Sequence, residues 1–193
     1  LLDDLNLTTS KTSLLYGITG SGKTSIFLKL VDKAIEQGKS AIVMVPEISL
    51  TPQTIEIFGK RYGKKIAVFH SAMSLGQRMD EWKRVNRGEA IIAIGTRSAI
   101  FAPVKNLSLI IMDEEQEHTY RSEQSPRYQA HDIARFRAAN EKALLLLASA
   151  TPSLESYYAA KSGRYHLFEL NRRYGNVPLP EVELVDTREE LLK

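Results

Sequence analysis

Short apolar runs alternate with amphipathic stretches along this chain of 193 residues. Residues 41–45 (AIVMV), 107–112 (LSLIIM) and 144–148 (LLLLA) are almost continuously apolar, the pattern of strands buried on both faces of a sheet. Residues 13–16, 66–69, 90–94 and 165–170 read as further strands. Residues 23–37 have helical spacing and stop at Gly38. Thr51-Pro52 opens a second helix, with proline in its first turn. Ser74 can cap a third, which runs towards Arg87 and stops at Gly88. A polar loop over residues 117–127 precedes a helix expected over 128–140, and Pro152 starts another. Strands alternating with helices predict an α/β domain, a mainly parallel sheet with helices on both faces. That domain is expected over residues 1–170. Arg172-Arg173, Pro178 and Pro180 mark residues 171–193 as an exit linker, within which 181–186 alternates like an edge strand and 187–193 begins a helix.

The first strand runs into GITGSGKT, residues 17–24, which matches the phosphate-binding pattern G-x-x-x-x-G-K-[ST] between a strand and a helix. Gly17, Gly20 and Gly22 let the backbone curl, with Thr19 and Ser21, until successive N–H groups face phosphate oxygens. The helix that follows adds the positive end of its dipole. Lys23 would reach the β- and γ-phosphates of ATP, and the Thr24 hydroxyl would ligate Mg²⁺. The strand over 107–112 delivers Asp113, Glu114, Glu115 and Gln116 at its carboxyl end. Asp113 there would hold Mg²⁺ and Glu114 would orient and deprotonate an attacking water, with Glu115 the next candidate for that base. Ser149, Ala150 and Thr151 follow another buried strand. Their hydroxyls can sense the γ-phosphate and bond the neighbouring acids, or simply cap the helix that follows.

Two further loops leave predicted strand ends. One carries Pro46, Glu47, Thr51 and Gln53; the other carries Thr96, Arg97 and Ser98. Their amides, hydroxyls and single arginine suit a nucleic-acid phosphate backbone, and equally suit ordinary loops with no ligand. The loop over 117–128 interleaves Tyr120 and Tyr128 with Arg121 and Arg127, a set that can stack on bases or fold back onto the domain.

Composition narrows the class. There is no cysteine, so disulfides and thiolate zinc sites are excluded, and the histidines at 70, 118, 131 and 166 have no metal-ligand spacing. No apolar run approaches bilayer length and no leader pattern is present, so the cytoplasm is the expected compartment and no membrane is expected as a partner. A net charge of +3 is compatible with nucleic acid. The chain begins at Leu1, which fits a piece of a longer protein.

Taken in order, GITGSGKT, MVPEISLTPQT, FHSAMS, IGTRSAIFAP, IIMDEEQEHTY, RYQAHDIA and ASATPSLES resemble the first-lobe motifs of superfamily 2 helicases, and most of all the bacterial replication-restart helicases. The resemblance implies a RecA-like P-loop NTPase fold and, in the whole protein, a 3′-to-5′ DNA helicase that restarts stalled forks and initiates primosome assembly. It implies ATP and Mg²⁺ as cofactors, with single-stranded and forked DNA, single-strand-binding protein and primosome components as partners. It makes Lys23, Thr24, Asp113, Glu114 and Gln116 the ATPase set, Ser149–Thr151 the coupling turn and residues 120–128 the loop joining DNA to ATP. It also implies a second lobe with an arginine finger and zinc-binding cysteines, neither of which this sequence contains. The family's fourth acidic-motif residue is histidine; here it is Gln116, which hydrogen-bonds but does not titrate near neutrality. Pro126 stands where the family's coupling loop has tryptophan. A restriction or repair translocase shares this motif order, and a P-loop regulatory module would share the nucleotide motifs alone.

Overall fold

The computed structural model describes residues 12–173. Along the chain these form β1 (Thr12–Gly17), α1 (Lys23–Glu36), β2 (Ser40–Met44), α2 (Pro52–Tyr62), β3 (Ile66–Phe69), α3 (Leu75–Arg87), β4 (Ile92–Gly95), β5 (Leu107–Asp113), β6 (Arg121–Ser122), β7 (Tyr128–Gln129), α4 (Ala130–Glu141), β8 (Leu144–Ser149), α5 (Leu154–Lys161) and β9 (His166–Leu170). Seven strands make one sheet in the order β3-β4-β2-β5-β8-β1-β9, every pair parallel. The expected α/β architecture is therefore present.

Successive side chains of the central strands serve opposite cores, as the pleat requires. Leu145 and Leu147 of β8 and Ile110 and Met112 of β5 pack with α3, α4 and α5 on one face. Leu144, Leu146, Leu109 and Ile111 pack with α1 and α2 on the other. α1 contributes Phe27, Leu30, Val31 and Ala34, a helical stripe that binds it to the sheet. α4 contributes Ala130, Ala134 and Ala138, small residues that bring its axis close to the strands.

The caps explain where helices start and stop. Thr51 accepts from the Thr54 N–H and Pro52 fills the first turn of α2. Ser74 and Gln77 form a reciprocal capping box at α3, and Gly88 ends that helix at φ 80°. Some expected boundaries move. The strand expected over 90–94 runs from Ile92 to Gly95, where a Cβ would lie 2.1 Å from the Phe69 carbonyl oxygen and only glycine fits. The helix expected over 128–140 starts at Ala130, because Tyr128 and Gln129 pair antiparallel with Ser122 and Arg121 in a small hairpin. Pro152 precedes α5 without entering it; Ser153 is the cap. β9 ends at Leu170, and the edge strand and helix expected over 181–186 and 187–193 lie outside the described residues. No helix among the described residues is long and apolar enough to cross a membrane.

Candidate nucleotide and nucleic-acid site

A parallel sheet sends the loops after β1, β2, β4, β5 and β8 to one edge. The GITGSGKT and SATP loops follow β1 and β8 on one half of that edge. The loops with Pro46–Gln53 and Thr96–Ser98 follow β2 and β4 on the other. β5, which carries the acidic motif, pairs with both β2 and β8 and lies between the halves.

Residues 17–24 form a tight cradle. A Cβ at Gly17 would sit 2.8 Å from Ser21 Oγ and 3.2 Å from Leu170 Cβ, and Gly20 and Gly22 have φ of 78° and 89°. Gly22 caps α1 with no side chain on the first-turn amides, which leaves the helix N-terminus to face the loop. Lys23 Nζ donates to the Gly17 carbonyl at 2.9 Å and lies 3.9 Å from Glu114 Oε1. Thr24 is exposed beside it. Ser21 Oγ is buried with no hydrogen-bond partner among the described residues. An orphaned hydroxyl, a glycine cradle and a lysine at the mouth fit a nucleotide phosphate tail.

The acidic end of β5 is held in an unusual conformation. Glu114 has φ 45°, a left-handed backbone that costs an ordinary residue about 1–2 kcal/mol. Its N–H donates to Asp113 Oδ1 at 3.0 Å, while Gln116 Nε2 donates to Glu114 Oε2 at 3.1 Å. Ser149 Oγ donates to Gln116 Oε1 at 2.6 Å and accepts from the Thr151 N–H at 2.8 Å. A continuous chain thus runs from Lys23 through Glu114, Gln116 and Ser149 to Thr151, and the hydroxyl turn after β8 bonds the acidic motif as well as leading to a helix. Ala150 adds only backbone there. Burial, then the neighbouring Glu114 charge, push the Asp113 carboxyl up to about 6, against the pull of its bond to the Glu114 N–H and of Lys23. Glu115, the alternative base, turns inward: 2% exposed, it accepts from Ser153 and Ser156.

The residues expected to face nucleic acid divide. Glu47, Thr51, Gln53, Arg121 and Arg127 are exposed, Ser98 and Tyr128 half-buried, Pro46 and Thr96 buried. Tyr120 is corrected: 1% exposed, it donates its hydroxyl to the Asp113 carbonyl at 2.7 Å and has no face to offer a base. Arg97 is not a free phosphate contact either. Its Nη1 donates to the carbonyls of Thr119 and Arg121, and its guanidinium lies 5.8 Å from the Tyr128 ring centroid. Phe101 packs edge-on against that ring at 5.1 Å. The arginine braces the hairpin to the loop after β4. The grip of His131, Ser153 and Ser156 on Glu115 had no sequence signal beyond the capping serine, since these residues are distant along the chain.

A sequence model of the DEAD/DEAH box helicases matches residues 5–159. The replication restart protein PriA of Bacillus subtilis is 50% identical over 181 residues, which cover 94% of this chain and 22% of that protein. The PriA of Synechocystis is 45% identical over 92% of this chain, and that of Treponema pallidum 42% identical over 96%. The chain spans 22–28% of the length of these relatives. Among solved structures, the Hef helicase domain of Pyrococcus furiosus superposes with a TM-score of 0.59 at 19% identity, over 83% of this chain and 35% of that one. RecG bound to a three-way DNA junction superposes with a TM-score of 0.58 at 22% identity, over 86% and 22%. At those identities the likeness concerns the fold.

Proposed function

The chain belongs to the DEAD/DEAH box helicase family, and from that premise we propose that it is the ATP-binding lobe of a 3′-to-5′ DNA helicase that restarts stalled replication forks and initiates primosome assembly. The observation that carries this reading is the hydrogen-bonded chain from Glu114 to Thr151, with Lys23 3.9 Å from Glu114 Oε1, on one half of a sheet edge whose other half presents the hairpin and the loops after β2 and β4. A nucleotide sensor and a nucleic-acid surface meet on β5, as a motor requires.

In this reading Gly17, Thr19, Gly20, Ser21 and Gly22 wrap the phosphates with backbone amides, and Lys23 exchanges the Gly17 carbonyl for phosphate oxygens. Thr24 and Asp113 would hold Mg²⁺, which when bound would neutralise phosphate charge. The raised Asp113 carboxyl fits that role, because a buried carboxylate is relieved by a cation. Glu114 holds the attacking water and takes its proton; its backbone geometry and Gln116 aim it. Glu47, Thr51, Gln53, Ser98, Arg121, Arg127 and Tyr128 contact single-stranded DNA, the charged and polar groups on phosphate and Tyr128 on a base. Single-strand-binding protein and primosome components are the proposed partners of the whole protein, in the cytoplasm.

The test is ATP hydrolysis by the full-length protein with and without single-stranded DNA, beside strand displacement on a forked substrate. Stimulation by DNA and unwinding with 3′-to-5′ polarity are expected. ATP binding with no response to DNA would make it a P-loop regulatory module instead.

A further inference from the structure

Burying a carboxylate is costly unless its oxygens are satisfied, and Glu115 is 2% exposed beside the proposed catalytic acid. Its Oε1 accepts from the Ser153 N–H at 2.7 Å. Its Oε2 accepts from Ser153 Oγ at 3.1 Å and Ser156 Oγ at 3.0 Å, and faces His131 Nε2 at 3.4 Å. Burial pushes this carboxyl up, but the bonds from His131 and the two serines outweigh it and hold it below the ordinary value. Its own N–H donates to the Ala148 carbonyl at 3.1 Å, so the backbone at Glu115 is tied to β8.

The placement of these partners is informative. His131 lies in the first turn of α4, directly after β7. Tyr120 stands directly before β6, with its ring edge-on to His131 at 5.7 Å and its hydroxyl on the Asp113 carbonyl. Both legs of the hairpin therefore end on the segment Asp113–Glu115: one through Tyr120 to a main-chain oxygen, the other through His131 to a buried carboxylate. Glu114 sits between the two attachment points.

We propose that Glu115, through His131, is a positioning residue that transmits the state of the β6–β7 hairpin to Glu114, so that nucleic acid on the hairpin sets the aim of the water-orienting carboxylate. The inference rests on the helicase reading and adds the route. A rigid tie of this kind moves the acidic turn whenever the hairpin shifts. The same carboxylate also anchors Ser153, the cap of α5, so the experiment separates a structural anchor from a coupling strut.

In the full-length protein, basal and DNA-stimulated kcat and the Kd for single-stranded DNA are measured for the parent, Glu115→Gln, His131→Ala, their double mutant and Ser156→Ala. Glu115→Gln keeps an oxygen for the Ser153 N–H; His131→Ala keeps the whole carboxylate and favours the helix, which guards against variants that fail to fold. Each should lower DNA-stimulated kcat about tenfold, near the low end of coupling between linked sites, with basal kcat and DNA affinity unchanged. The double mutant should lose no more than either single, because both residues serve one strut. Ser156→Ala, which removes the Glu115 partner on α5 but leaves its contact with His131, should lower thermal stability and keep the stimulation. Parental stimulation in folded His131→Ala, additive losses in the double mutant, or an equal loss in Ser156→Ala would each overturn the proposal. A parent that does not respond to DNA would overturn it too, by removing the helicase reading beneath it; a parent that responds beside variants that match it sinks the strut alone.

Discussion

Lys23→Ala removes the ammonium at the mouth of the proposed phosphate loop. A charge-assisted contact to phosphate contributes roughly 1.5–3 kcal/mol. The lysine is already engaged without nucleotide, however: it donates to the Gly17 carbonyl at 2.9 Å and lies 3.9 Å from Glu114 Oε1. Exchanging this bond, whose donor is ionised but whose carbonyl acceptor is neutral, forfeits about 1 kcal/mol. The separation from Glu114, whose side chain is 31% exposed, adds only a few tenths of a kcal/mol at most, on the order of a weak surface pair. The net loss is then about 0.5–2 kcal/mol, or roughly two- to thirtyfold in Kd for MgATP. Calorimetric titration of parent and variant measures it. Equal affinities would mean that phosphate does not sit over residues 20–24. A loss far beyond a hundredfold with a lowered melting temperature would mean that the loop had collapsed, and that Lys23 holds Gly17 in place rather than reading phosphate.

Four further outcomes are expected. Glu114→Gln should bind ATP with near-parental affinity and lose turnover by about two orders of magnitude or more, as removal of a general base does; parental hydrolysis in that variant would move the base elsewhere. Tyr120→Phe should cost about 1–2 kcal/mol in urea unfolding, because the Asp113 carbonyl loses its donor, yet leave DNA affinity unchanged, whereas Tyr128→Ala should weaken single-strand binding by about 1–3 kcal/mol with little effect on folding. The Asp32 carboxyl is held below its ordinary value first by the Arg61 guanidinium, against burial, with help from the Tyr62 hydroxyl; a lowered folded value means stability present above the unfolded value and lost as pH falls through the folded one, so Asp32→Asn should destabilise at neutral pH and match the parent in acid unfolding. This lobe alone should release phosphate slowly even with DNA, since an arginine finger from a facing lobe accelerates phosphoryl transfer by about 10³–10⁵; steady-state turnover equal to the full-length protein would show the catalytic set complete here.

What the sequence made legible follows from how locally each feature is encoded. The glycine loop proposed for phosphate is contiguous and its glycines are required by the backbone itself, so the pattern at 17–24 carries its own geometry. The apolar runs of β2, β5 and β8 are equally direct, because burial on both faces leaves few polar positions to mislead. Tyr120 shows the limit. Next to Arg121 in a polar loop it has the composition of a stacking platform, yet its ring packs on His131 and its hydroxyl finds the Asp113 carbonyl, both tertiary partners. Arg97 likewise reads as a phosphate contact until the carbonyls of Thr119 and Arg121 are seen to occupy it. Helix boundaries slipped for the same reason: Tyr128 and Gln129 are compatible with a helix, and only pairing with β6 withdraws them.

Gln116 joins the local and tertiary levels. A side-chain amide donates and accepts at once, and both ends are used: Nε2 gives to Glu114 and Oε1 takes from Ser149. A neutral imidazole could make the same two bonds in one tautomer, but on protonation both nitrogens become donors and the bond from Ser149 could form only by reversing its direction. Reversal would turn the Ser149 hydroxyl from donor to acceptor while it already accepts from the Thr151 N–H. With glutamine the polarity of the chain from Thr151 to Glu114 is fixed at every pH near neutrality. The turn after β8 therefore reaches the proposed catalytic carboxylate through groups that do not change charge.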